Sequence, residues 1–153
     1  QWTSAVLPTA AAPLSWYHKE WDELKHYQFQ RPLRKLFAGY DRRGRDLRMK
    51  PVMLVGGGAV RAIGMADHDS GFFYIHDPSR MALARADITE PTAGIRALVM
   101  YMQPGAYDVE FLDTLTADVT GTAQSEVQEG TTRLQIDLPP VADDLLVRVT
   151  RRH

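Results

Sequence analysis

The chain predicts a mainly β fold, an antiparallel β-sandwich of about eight strands preceded by a broken N-terminal helix. Three observations predict it. Residues 107–116, 134–140 and 144–149 alternate apolar and polar side chains, as strands with one buried face do. Short apolar runs recur along residues 52–150, separated by Gly, Pro and Asp-rich turns. Helical spacing, by contrast, is confined to the start of the chain, where Tyr17, Trp21, Leu24 and Tyr27 or Gln28 share a face.

The elements follow in order. Residues 5–13, rich in Ala and Pro, read as an extended lead-in. Ser15 is a candidate N-cap for a helix starting at Trp16. Pro32 marks a kink in it or opens a second helix carrying Leu33, Leu36 and Phe37, and Gly39 ends the segment, which runs from about 16 to 38. Residues 41–50 form a basic connector. Strands are expected over 52–55, 60–65 and 72–76, the last two joined by hairpin chemistry at Asp67–Gly71. A loop from 77 to about 94, with a short helical turn near 81–86, leads to strands over 95–102 and 106–112, turned by Pro104 and Gly105. Strands over about 123–128, 131–138 and 145–150 complete the sheets. The expected organisation is a lead-in and helical segment (1–40), the connector (41–50) and the sandwich (51–153).

Composition bounds the chemistry. A chain of 153 residues is one domain's worth, and the lack of cysteine excludes disulfides, thiolate metal sites and a cysteine nucleophile. The net charge of -1 hides an asymmetry: residues 1–50 hold ten Lys/Arg against five Asp/Glu, and residues 51–153 hold eight against fourteen. The two parts therefore attract one another or different neighbours. No apolar run approaches the roughly 20 residues that span a bilayer. The N-terminal stretch lacks the regions of a signal peptide, and a chain starting at Gln1 reads as a processed or excised piece.

The tail resembles the carboxyl-terminal β-sandwich that follows the (β/α)-barrel in many glycoside hydrolases, cellulase-like enzymes among them. There a strand of the type Y-x-V-x-F/W-x-D-T-x-T-G precedes L-x-L-x-L-P and D-L-x-V-x-V. The matching residues are Tyr107, Val109, Phe111, Asp113, Thr114 and Thr116, then Leu134, Ile136, Leu138 and Pro139, then Asp144, Leu145, Val147 and Val149. Ala117 stands where those sandwiches carry Gly. Residues 59–65 and 71–77 are similar to the first hairpin of such domains, and residues 21–40 to the last barrel helix. The resemblance implies an accessory domain, extracellular or at the cell surface, whose partner is the barrel of the same enzyme and whose wider ligand is a polysaccharide. It also implies that Trp21, Leu24, Leu33, Leu36 and Phe37 form the interface with the barrel, and that Trp16 and Tyr17 can border the sugar cleft, although packing between the helix and neighbouring elements explains those two better.

Catalytic residues are expected to be absent. Asp108 and Glu110 share a strand face about 7 Å apart, a spacing that suits a retaining glycosidase pair, but a solvated polar face explains them better. The sheet aromatics Phe72, Phe73, Tyr74, Tyr101, Tyr107 and Phe111 suit a core better than a sugar platform. Asp67, His68 and Asp69, like His76 and Asp77, read as turn residues more than metal ligands. Gly56–Gly58 lacks the spacing of a phosphate cradle. Arg42, Arg43, Arg45, Arg48 and Lys50 make a cationic patch, and a solvated linker or a clamp onto the acidic sandwich fits them better than nucleic acid. No cofactor and no metal are expected. The runner-up function is a self-assembling structural or adhesive surface subunit, and an independent carbohydrate-binding module ranks third.

Overall fold

The structure, a computed structural model, describes Glu23, Lys25, residues 30–80, Leu83, residues 87–88 and residues 90–153. Its described part holds one short helix, α1 (Arg31–Leu36), and nine strands: β1 (Arg48–Met49), β2 (Val52–Val55), β3 (Arg61–Ala66), β4 (Ser70–His76), β5 (Arg96–Val99), β6 (Gly105–Leu112), β7 (Val119–Val127), β8 (Leu134–Asp137) and β9 (Asp144–Arg151). They form two antiparallel sheets, one of six strands in the order β1-β3-β4-β9-β6-β7 and one of three in the order β2-β5-β8. The chain is mainly β and sandwich-like, as its alternation predicts.

Eight of the strands lie where the pattern places them, within a few residues at each end. The ninth, β1, falls inside the stretch read as connector. Two residues are too few to show an alternation, and β1 exists because Arg48 and Met49 pair with Ala66 and Met65 of β3. The Pro32 alternative resolves as a helix start: Pro32 lies in the first turn of α1, where a missing N–H costs nothing. The helix ends with the Phe37 and Ala38 amides donating to the Leu33 and Lys35 carbonyls, and Gly39 follows with φ +75°. The remainder of the segment expected over 16–38, and the turn expected over 81–86, fall mostly outside the described residues.

Two apolar clusters hold the fold. The larger lies between the sheets, where Phe73 and Ile75 of β4, Val109 and Phe111 of β6, and Val147 and Val149 of β9 face Ala97, Val99, Leu134 and Ile136 of the small sheet. Alternation assigns the faces of β6 and β8, whereas the apolar run of β4 leaves its inward face to the packing. The second cluster lies on the outer face of the large sheet and joins Leu36, Met65, Phe72, Tyr74, Leu112 and Leu146, flanked by Phe37, Tyr40, Leu47 and Ile63. β4 is therefore buried on both faces, which its unbroken Phe72-Phe73-Tyr74-Ile75 run requires. What covers its outer face is α1 and the chain that follows it. Phe37 and Tyr40 meet the Phe72 ring at 5.0 and 4.8 Å between centroids, tilted and edge-on.

The motif residues perform packing and turn roles. Tyr107 is fully buried and its hydroxyl donates to the Gln103 carbonyl at 2.8 Å. Asp113 accepts from the Leu115 and Thr116 amides at 2.8 and 2.9 Å, an Asx-type turn after β6. The Thr114 hydroxyl bonds the Asp144 carboxylate at 2.7 Å, which also receives the Tyr74 hydroxyl at 3.0 Å. The turn closes with Ala117, whose amide donates to the Asp113 carbonyl at 2.8 Å and whose φ is +52°. A left-handed conformation costs an L-residue roughly 1–2 kcal/mol. Ala117→Gly is expected to stabilise the chain by about 0.5–1 kcal/mol, after the added chain entropy of glycine is offset. Urea denaturation at unchanged slope is the check.

Candidate functional site

Three polar constellations on the sandwich could carry chemistry: the β3–β4 hairpin tip, the outer face of β6 and β9, and a cleft between β7 and β8.

The hairpin tip is built around Asp67, which is 7 % exposed. Its carboxylate accepts from the Asp69 and Ser70 amides at 2.9 and 2.8 Å, from the Tyr40 hydroxyl at 3.2 Å, and from the Arg45 guanidinium. Burial by itself would raise its pKa, but Arg45 and the two amides outweigh burial and hold the carboxyl well below the usual range. The Arg45 guanidinium also lies 4.7 Å from the Tyr40 ring centroid, and burial pushes the Tyr40 phenol up. Arg42 stands over Phe37 at 5.1 Å. The cationic stretch thus acts in part as a clamp: Arg42 and Arg45 hold the chain after α1 against the sheet. Arg43 and Arg48 pair locally with Asp41 and Asp46. With its carboxylate engaged in this way, Asp67 serves the turn. Among the described residues no group of three or more His, Asp or Glu side chains could hold a metal ion.

His76 and Asp77 separate in role. Asp77 accepts from the Ser79 amide and hydroxyl at 3.0 and 2.6 Å and pairs with Arg80 at 3.2 Å, fixing the turn after β4. The His76 ring stacks on Tyr74 at 4.9 Å, and burial lowers its pKa. Gly56 and Gly58 adopt φ +80° and +56° in the turn after β2, and a side chain at Gly56 would meet the Gly94 carbonyl oxygen at 2.7 Å. That run is a tight turn.

On the outer face of β6 each candidate acid has a cation. The Arg152 guanidinium donates to Asp108 through Nε at 2.8 Å and draws its pKa down, and Arg148 Nε donates to Glu110 at 2.5 Å. Both arginines come from β9 and its end, which β6 pairs in register. Carboxylates tied in this way are poorly placed as a nucleophile and an acid, and the pair forms a cross-strand charge ladder.

The cleft lies along one side of the sandwich, where β7 and β8 are the edge strands of their sheets. Its volume is about 460 Å³ and its walls include Gln124, Ser125, Gln128, Arg133, Gln135 and Asp137 over a floor of Val109, Ala123 and Ile136. The Ser125 hydroxyl donates to the Gln135 carbonyl and joins the two edges. Amide and charged groups there can hydrogen-bond, and none of the described residues that line it is aromatic.

No family model matches the chain, and no curated protein sequence matches it.

Of the residues singled out by resemblance, Trp16, Tyr17, Trp21 and Leu24 lie outside the described residues. Leu36 is 2 % exposed and packs against Met65, Phe72, Tyr74, Leu112 and Leu146 of the chain itself, so it presents no free surface to a partner. Leu33 and Phe37 are half-buried, Phe37 against the same cluster. Tyr101 departs from the core role expected of the sheet aromatics: it is 64 % exposed, at φ +61°, in the turn before β6. Its neighbour Pro104-Gly105 signalled the turn, but nothing local signalled which way the ring faces. The arginine partners of Asp67, Asp108 and Glu110 went unread because each lies 22 to 44 residues away. No described helix is long and apolar enough to cross a membrane.

Proposed function

We propose that the chain is the non-catalytic accessory β-sandwich portion of a larger glycoside hydrolase that acts on a polysaccharide, bracing the (β/α)-barrel of that enzyme and shaping the outer part of its cleft. The observation that carries this reading is the use of the shared motif residues. Tyr107, Asp113, Thr114 and Asp144 hold turns and strands together, and the acids of β6 that resemble a glycosidase pair are tied to arginines. Hydrolysis then belongs to carboxylates elsewhere in the whole enzyme. The packing of α1 on the outer face supports a bracing role, since it couples the sheet to whatever chain precedes the helix.

The test compares the isolated chain with the longer polypeptide that contains it, using reducing-end release from soluble polysaccharides. The isolated chain is expected to be inactive and the longer polypeptide active, with a lower melting temperature when residues 31–153 are removed. Turnover by the isolated chain would overturn the proposal. So would native mass spectrometry of the undisrupted source showing an open ladder of 17.2 kDa subunits with no larger partner, which favours a structural subunit.

A further inference from the structure

Where β4 ends, two turns are tied to the start of β9. The Asp144 carboxylate accepts from Tyr74 of β4 and from Thr114 of the turn after β6. In the turn after β4, the Asp77 amide donates to the Asp143 carbonyl at 2.8 Å, and Arg80 donates to the Glu90 and Ala142 carbonyls at 2.8 and 3.1 Å. His76 sits inside this junction, in register with Asp144 of β9 on one side and Arg61 of β3 on the other. Its ring lies nearly parallel to that of Tyr74, with 12° between the planes. Its Nδ1 is buried and has no hydrogen-bond partner. The acids beside it differ, since Asp77 is held by Ser79 and Arg80, and Asp144 by Tyr74 and Thr114. A neutral imidazole tolerates such a place, because its Nδ1 costs no more than the loss of one water contact. An imidazolium would bury both a charge and an N–H that finds no acceptor.

We propose that His76 is a mild-acid latch on this junction, closed while the imidazole is neutral and opened, ahead of the rest of the sandwich, when the ring takes up a proton. The charges that face the ring are Asp144 from β9, Arg61 from β3 and Asp77 beside it in the chain. Burial opposes protonation, Asp144 favours it, Arg61 opposes it and Asp77 favours it. Burial prevails, so the folded pKa lies below the ordinary 6.5. Arg61 is anchored on the Gly58, Ala59 and Val60 carbonyls, which keeps that cation at its place in the register. The unfolded chain therefore binds the proton more readily than the folded one. Stability is complete above about pH 6.5 and is lost as the pH falls from there through the folded pKa. Asp67 responds only below about pH 4, so the two effects occupy separate windows. Tyr74 couples the ring to the turns, because the phenol that His76 stacks on also holds Asp144. The latch does not rest on the hydrolase reading.

Thermal melting and amide exchange of the 153-residue chain between about pH 7.5 and pH 5, above the window of Asp67, test it. The melting temperature is expected to fall by about 2–4 °C across that range. His76→Phe keeps a ring against Tyr74 but cannot titrate, and should lose most of the fall. His76→Gln should lose it too, without a ring. The quantity compared is the change with pH within each protein, so a variant of lower overall stability still reports. Over the same range, corrected for intrinsic exchange, the Asp77 amide should exchange about fivefold faster relative to the Met102 and Arg152 amides. Those two donate to the Thr132 and Ala106 carbonyls at the opposite end of the sandwich. Titration of the His76 ring by NMR in the unaltered, folded chain should give a midpoint below 6.5. An unchanged fall in melting temperature in both variants would overturn the proposal, and so would a midpoint at or above 6.5. Equal loss of protection at the two ends would overturn it as well, since no latch would then open before the sandwich.

Discussion

Asp67→Ala is expected to destabilise the chain by about 3 kcal/mol, because it removes a buried carboxylate and strands its donors. The Asp69 and Ser70 amides and the Arg45 guanidinium would lose their acceptor together. Asp67→Asn keeps an acceptor for the amides but removes the charge that Arg45 faces, and is expected to cost about half as much. Arg45 is about one-third exposed, so water compensates part of its loss and sets the figure below that of a fully buried pair. The same carboxylate imposes a pH dependence. Its folded pKa lies below the unfolded value of about 3.9, so its contribution is complete above that value and declines as the pH falls through it. Urea midpoints measured from pH 6 down to about pH 2.5 should fall less steeply in Asp67→Asn than in the unaltered chain. Parallel slopes would show that another carboxylate governs acid unfolding.

Leu36→Ala is expected to cost about 3 kcal/mol, within the range for a buried leucine whose cavity collapses only in part. Leu36 is the one fully buried side chain that α1 contributes to the outer cluster, and Met65, Phe72, Tyr74, Leu112 and Leu146 would lose their cover. For a domain of this size the melting temperature should fall by roughly 6–12 °C. Hydrogen exchange adds a reading that melting cannot. Amides of residues 37–40 should exchange faster in the variant, while those of β9, paired on both sides, should remain protected. If all of them lost protection equally, the helix and the sandwich would unfold as a single unit.

These two residues also show where local pattern is informative and where it fails. Leu36 is legible as an apolar helix position, but helical spacing says that a face is buried and not against what, and the structure packs it on the chain's own sheet. Asp67 was legible as a turn residue from the 67–71 hairpin chemistry, and that role holds. Its bond to Arg45 was not legible, because Arg45 lies 22 residues before it and reaches the hairpin only through the packing of α1 and Tyr40 on β4. The same limit applies to Asp108 and Glu110. Their shared face followed from alternation, while Arg152 and Arg148 reach them only through the β6–β9 register.

By itself the sequence determined the strand content, the inward faces of β6, β8 and β9 and the turn at Asp113. Those features depend on side-chain alternation and on backbone preferences within a few residues, which any reader of the chain can see. The tertiary structure alone decided the strand order β1-β3-β4-β9-β6-β7, which face of β4 meets the small sheet, the second cluster beneath α1, the cations that hold the acids of β6 and the left-handed backbone at Ala117. Such features depend on which distant strands share hydrogen bonds, a choice made by the summed burial and register of the whole sheet rather than by any one segment.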